Sequence, residues 1–217
     1  VPPRAVVFDL DDTLFDSFGQ CVGPAQREAA AAMRAAGLRA PLEAVVALRE
    51  AYAGRRVDVD RLVAEAFPCA DVERVVAAGR RAFFERDPGA LTPFPFARPV
   101  LEAVRLRCRA VLLTAGSLST QRTKVERLGL ADLLDPLLFV DPARGEDKRA
   151  ALAGWLAAAR FAPAEVLVVG DRPDAEIAAA LALGCSALRI RTGEWAREAT
   201  QAGVPEAPDV RGVLRFL

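Results

Sequence analysis

The chain's first apolar run ends in three carboxylates and a hydroxyl: Val6-Val7-Phe8 leads into Asp9-Leu10-Asp11-Asp12-Thr13. Carboxylates packed this closely repel one another, and a cation is the usual way to neutralise them. Asp9 and Asp11 alternate with Leu10, so an extended backbone carries both on one side. The same residues can also be read as an acidic turn or helix cap, because Asp and Thr cap helices well. Three further stretches carry chemistry. Thr114-Ala115-Gly116-Ser117 is a small hydroxyl-and-glycine loop ahead of a helix, with backbone N–H groups suited to an anion. Lys148 follows Arg144-Gly145-Glu146-Asp147 at a helix start, and Gly170-Asp171-Arg172-Pro173-Asp174-Ala175-Glu176 is a second acidic stretch. Each has a plainer alternative: a turn and cap, a solvated lysine, and a turn residue before Pro173.

The elements that position these residues follow from periodicity and punctuation. Short apolar runs at Val6–Phe8, Ala110–Leu113, Leu137–Val140, Val166–Val169 and Ala187–Ile190 read as strands. Helical segments precede or separate the later ones: Pro99–Arg107, Ser119–Leu128 stopped by Gly129, Lys148–Arg160, and Ala175–Leu183 stopped by Gly184. This alternation implies a doubly wound parallel sheet in an α/β, Rossmann-like core. Between the first strand and the rest the rhythm is helical only. Segments Pro24–Ala36, Pro41–Ala53, Asp60–Phe67 and Asp71–Glu85 start and stop on Pro, Asp and Gly. The expected organisation is a core of residues 1–16 and 90–217 with an all-helical insertion at 17–89. Because every strand of a parallel sheet opens its C-terminal end on one edge, the four chemical stretches converge there.

Composition narrows the chemistry. The 217 residues include no histidine, which excludes a Ser-His-Asp triad, a His-ligated metal and imidazole acid–base catalysis. A formal net charge of zero argues against a nucleic-acid partner, since such surfaces are usually basic. No apolar run has membrane-spanning length, so no membrane role is expected. Cys21, Cys69, Cys108 and Cys185 are widely spaced and no signal peptide is visible, so a reduced, cytoplasmic protein is expected. Lys124 and Lys148 are the only lysines, which singles out each of them.

The ordered set Asp9-x-Asp11-x-Thr13, the strand ending in Thr114, Lys148, and Gly170-Asp171 with Glu176 resembles the four motifs of the haloacid dehalogenase superfamily of aspartate-nucleophile phosphohydrolases. The helical insertion stands where one branch of that family, the phosphoglycolate-phosphatase-like and β-phosphoglucomutase-like members, carries a small cap. The resemblance implies a Mg²⁺-dependent phosphatase of a small phosphorylated metabolite. Asp9 would be the nucleophile forming an aspartyl-phosphate. Asp11 would be the acid–base, needing a pKa raised from about 4 for that role. Mg²⁺ would be held by Asp9, the Asp11 backbone carbonyl and Asp171. Thr114, the N–H groups of Ala115 and Gly116, and Lys148 would hold the phosphoryl oxygens. Glu176, with Asp174 as competitor, and Thr13 would support from behind.

Arg55 and Arg56, between two helices of the insertion, are candidates for reading a second anionic group on the substrate, with a solvated basic turn as the plainer alternative. Lys124 is expected on the surface. The chain departs from many members in having Asp12 instead of Gly, and Arg149-Ala150-Ala151 instead of Pro-x-Pro after the lysine. Two alternatives stay open: a sugar-phosphate phosphomutase on the same core, and a non-catalytic binding or regulatory protein on a degenerate core.

Overall fold

A computed structural model describes residues 2–52 and 57–217. These residues form two compact units, one of Val1–Ser17 with Ala90–Leu217 and one of Phe18–Gly89. Arg55 and Arg56 lie outside the described residues.

The first unit holds a six-stranded sheet in the order β3-β2-β1-β4-β5-β6, with every neighbouring pair parallel. Its strands are β1 (Ala5–Phe8), β2 (Arg109–Ala115), β3 (Leu137–Val140), β4 (Val166–Gly170), β5 (Ser186–Ile190) and β6 (Glu206–Ala207). The central strands are apolar throughout because both faces are covered. All four β1 residues are fully buried, and Val7 lies in register with Val111 of β2 and Val168 of β4. Val7, Val111, Val168, Leu152, Leu113 and Ile177 belong to one core cluster. The strand β6 was not foreseen, since two residues are too few for a periodic signal. The strand order reverses between β1 and β4, and open α/β sheets bind ligands outside the C-terminal ends of strands at such a point.

The helices of this unit are α5 (Ala97–Arg105), α6 (Leu118–Leu128), α7 (Lys148–Ala159) and α8 (Ala178–Leu183); α1 to α4 belong to the other unit. Ser117 caps α6 by accepting from the Thr120 N–H, and Asp147 caps α7 by accepting from the Ala150 N–H. The helix expected from Ala175 instead opens with a wide π-type turn, Pro173–Ile177, ahead of α8.

The second unit contains α1 (Gly23–Ala35), α2 (Leu42–Ala51), α3 (Val59–Ala66) and α4 (Val72–Phe84). Asp58 and Asp71 cap α3 and α4. Ala30, Met33, Val45, Val63 and Val75 pack its core. Inside it Arg49 donates to Asp60 at 2.5 Å and to Gln26 at 2.8 Å. Gly79 makes room for this pair, because a Cβ there would overlap the Asp60 carboxylate and the Met33 side chain. No helix among the described residues is long and apolar enough to cross a membrane.

Candidate active site

At the C-terminal end of β1, the Asp9 N–H donates to the Val169 carbonyl at 2.9 Å, extending the sheet ladder by one residue. This fixes the backbone under the Asp9 carboxylate, which is buried. Lys148 is the first residue of α7, and its Nζ reaches Asp9 Oδ1 at 2.6 Å and Glu176 Oε2 at 2.7 Å. The other Glu176 oxygen accepts the Arg172 N–H at 2.7 Å, a bond made by the wide turn after Pro173. Gly170 permits that approach, since a Cβ at this position would overlap the Glu176 side chain. Asp171 follows directly, 2 % exposed. One carboxylate oxygen from each of Asp9, Asp171 and Glu176 lies within 4.8 Å of the others.

Three buried carboxylates thus face one ammonium, and the electrostatics show the imbalance. Burial pushes Asp9 up, Lys148 pulls it down, and Glu176 and Asp11 push it up again, leaving it at about 7 against an ordinary 3.8. Burial, then Asp9, Glu176 and Asp12, raise Asp171 to about 9. Burial alone would lower Lys148, but Asp9 and Glu176 outweigh it and hold the ammonium above its ordinary value. Hard oxygen donors with excess negative charge are what a divalent cation such as Mg²⁺ takes, so the residues present fit one.

Asp11 behaves differently. Its carboxylate accepts from Lys124 Nζ at 2.6 Å and Ser17 Oγ at 2.7 Å on Oδ1, and from Gln121 Nε2 at 2.8 Å on Oδ2. Burial would raise its pKa. The Lys124 charge and the hydrogen bonds from Lys124, Gln121 and Ser17 outweigh burial and hold Asp11 below the usual carboxylate range. The expected upward shift is therefore corrected, and so is the surface placement of Lys124, whose side chain is 12 % exposed.

One more expectation is revised. The Gly116 N–H donates to the Val140 carbonyl at 2.9 Å and is not available to a phosphoryl oxygen. Asp174 turns to solvent and pairs with Arg172, while Glu176 is buried. Thr114 is fully buried, and its Oγ1 accepts from Gln121 Nε2 at 2.5 Å; the Ala115 carbonyl accepts from the same amide at 3.1 Å. Thr13 is fully buried, and its Oγ1 has no hydrogen-bond partner.

Gln121 and Arg189 were missed by sequence reasoning. Arg189, fully buried on β5, donates to the carbonyls of Asp171 at 3.2 Å and Glu198 at 2.7 Å, and so ties Asp171 to the following loop. An arginine in an otherwise apolar strand was its available signal. For Gln121 and Lys124 the signal was their three-residue spacing on the helix after Thr114, together with the scarcity of lysine.

Comparison with known proteins identifies the family. Residues 3–184 match the family described as Hydrolase, haloacid dehalogenase-like hydrolase. The chain is 28 % identical over 202 residues to glyceraldehyde 3-phosphate phosphatase of Methanopyrus kandleri, covering 88 % of this chain and 85 % of that protein. It is 25 % identical over 199 residues to the protein of the same name from Methanocaldococcus jannaschii, covering 88 % and 86 %. Its fold superposes on the magnesium-bound crystal structure of YfnB from Bacillus subtilis, a candidate hydrolase of this family. That likeness has a TM-score of 0.70 at 16 % identity and covers 100 % of this chain and 99 % of YfnB. With the family match spanning most of its sequence, the chain belongs to the haloacid dehalogenase-like hydrolases, an enzyme family in which the two curated relatives named here are phosphatases.

Proposed function

We propose that the chain is a Mg²⁺-dependent phosphatase that hydrolyses a small phosphorylated metabolite through an aspartyl-phosphate on Asp9. The observation that carries this reading is the Lys148 ammonium between Asp9 and Glu176 at the sheet's switch point, beside a third carboxylate on Asp171. Asp9 attacks phosphorus, the bond from phosphorus to the leaving oxygen breaks, and Asp11 delivers a proton to that oxygen. In the second half Asp11 takes a proton from a water molecule as it attacks the phosphorus, and Asp9 is released with free phosphate. Asp11, held low, is set for this second half. For the first half it needs a proton, which a phosphate monoester entering as its monoanion carries.

Thr114, the Ala115 N–H and Lys148 hold the phosphoryl oxygens as charge redistributes. Asp9, the Asp11 backbone carbonyl and Asp171 would hold Mg²⁺, which when bound supplies positive charge to those oxygens and favours ionised Asp9. Glu176 orients Lys148. The helical segment 18–89, one residue shorter than expected because Ser17 belongs to the other unit, serves as the cap that excludes water and reads the leaving group, with Arg55 and Arg56 as its anion-reading residues. The two relatives' names put triose phosphates at the head of the substrate panel.

Phosphate release from that panel, with and without Mg²⁺, tests the reading. Acid-quenched enzyme should retain substrate phosphorus covalently, and Asp9→Asn should lose both turnover and the covalent label. Near-native turnover of folded Asp9→Asn would overturn the mechanism.

A further inference from the structure

We propose that Lys124, Gln121 and Ser17 form a three-point clamp that sets the Asp11 carboxylate for proton transfer, with Lys124 as its dominant arm. This rests on the reading of Asp11 as the acid–base, and it adds positioning residues to that reading. Both Asp11 oxygens are engaged: Oδ1 by Lys124 at 2.6 Å and Ser17 at 2.7 Å, Oδ2 by Gln121 at 2.8 Å. A carboxylate held at both oxygens by donors from separate parts of the chain has one orientation.

The burial argues against an incidental surface pair. Exposed ion pairs contribute little, but a largely desolvated ammonium needs partners, and Lys124 meets the Asp11 carboxylate at 2.6 Å with the Phe15 ring 5.9 Å from its Nζ. Gln121 is 1 % exposed, and its amide also reaches Thr114 Oγ1 at 2.5 Å and the Ala115 carbonyl at 3.1 Å. One side chain therefore fixes the proton-transfer group relative to the loop that receives the phosphoryl group. The positions are dictated locally. Ser117 starts α6 directly after β2, and Gln121 and Lys124 then fall on one face of that helix. The chain's two lysines are thus divided, Lys148 to Asp9 and Lys124 to Asp11. Catalytic groups misplaced by small distances lose much of their effect, so orientation is what the clamp provides.

A double-mutant cycle on the full protein tests this, with kcat and KM measured on the substrate that turns over best. Lys124→Met should lower kcat by about 10²-fold, the lower end of the general acid–base range, and move KM much less. Lys124→Arg should recover a substantial part. In an Asp11→Asn background the same Lys124→Met change should cost less than about threefold, because the clamp acts only through Asp11. Equal losses in both backgrounds would overturn the clamp while leaving Asp11 as the acid–base. Near-native kcat in Asp11→Asn alone would instead overturn that reading. Should Lys124→Met fail to fold, Gln121→Leu tests the neutral arm, with about a tenfold loss that likewise vanishes without Asp11. If neither variant folds, both residues are scaffold and the proposal is overturned.

Discussion

Two buried charge networks stand in this molecule, one in each unit, and their ledgers differ. In the helical unit Arg49 meets Asp60, one cation against one anion, with Gln26 accepting from the same guanidinium. At the sheet edge Lys148 meets Asp9, Glu176 and nearby Asp171, one cation against three anions. The first network is complete as it stands and calls for nothing from outside. In the second, two carboxyls are pushed to about 7 and about 9, which means that ionised forms are held at a cost. Burial alone therefore does not mark function, since Arg49 is as buried as Asp171 and more so than Asp9 or Lys148. Uncompensated charge at a sheet's switch point does.

The sharpest way to break this contrast is to remove a carboxylate from the unbalanced network. Asp171→Ala should nearly abolish Mg²⁺-dependent turnover, because the rigid position directly after Gly170 has no substitute. Glu176→Gln keeps the shape but loses charge on Lys148, and should cost about 10–100-fold, partly recovered by excess Mg²⁺. Asp174→Asn, on an exposed pair with Arg172, should change turnover less than twofold or so. Magnesium titrations of the three variants decide the matter. A damaging Asp174→Asn beside a silent Glu176→Gln would contradict the division.

In the balanced network the expected damage is to stability. Arg49→Met leaves the Asp60 carboxylate buried without its cation, which typically costs about 3–5 kcal/mol. Removing both charges, as in Arg49→Met with Asp60→Leu, should restore most of that loss, since a buried pair often contributes little more than apolar packing. Urea unfolding followed by far-ultraviolet dichroism, with hydrogen exchange over α1 to α4, reads this. A single mutant as stable as the parent would show that the pair is solvated after all.

Much of the fold was legible because its signals are local. Apolar runs gave the five longer strands, and Gly129 and Gly184 stopped their helices as expected. The strand β6 and the wide turn at Pro173 were not legible, because both depend on what the chain meets in space. At the site the meeting of Asp9, Lys148 and Glu176 was legible, because the strand ends of a parallel sheet converge and the ordered motifs place these residues there. Lys124, by contrast, was misjudged. A lysine on a polar helix is ordinarily solvated, and only the approach of Asp11 to α6 makes it otherwise. Asp11's low pKa follows from that same contact, so the error about its proton and the error about Lys124 are one error.

The smallest expected effect is a shift of thermal stability with pH, and it tests the imbalance without any mutation. Asp9 and Asp171 have folded-state pKa values raised above the ordinary 3.8, to about 7 and about 9. Between those limits the folded protein binds more protons than the unfolded chain, so stability without divalent ions falls as pH rises from about 4 to about 9. Mg²⁺ bound there would compete with those protons and favour the ionised carboxylates. Its stabilising effect should therefore be slight near pH 5 and grow toward pH 9, reaching on the order of 5–10 °C in Tm at saturating magnesium. Asp11 runs the other way: held low, its contribution is present at neutral pH and is lost only on acidification, so it does not mask the slope. Thermal melts in chelator and in Mg²⁺ across this range supply the measurement. A magnesium increment that is constant with pH, or larger in acid, would mean that Asp9 and Asp171 do not hold the ion, and the contrast between the two buried networks would lose its functional meaning.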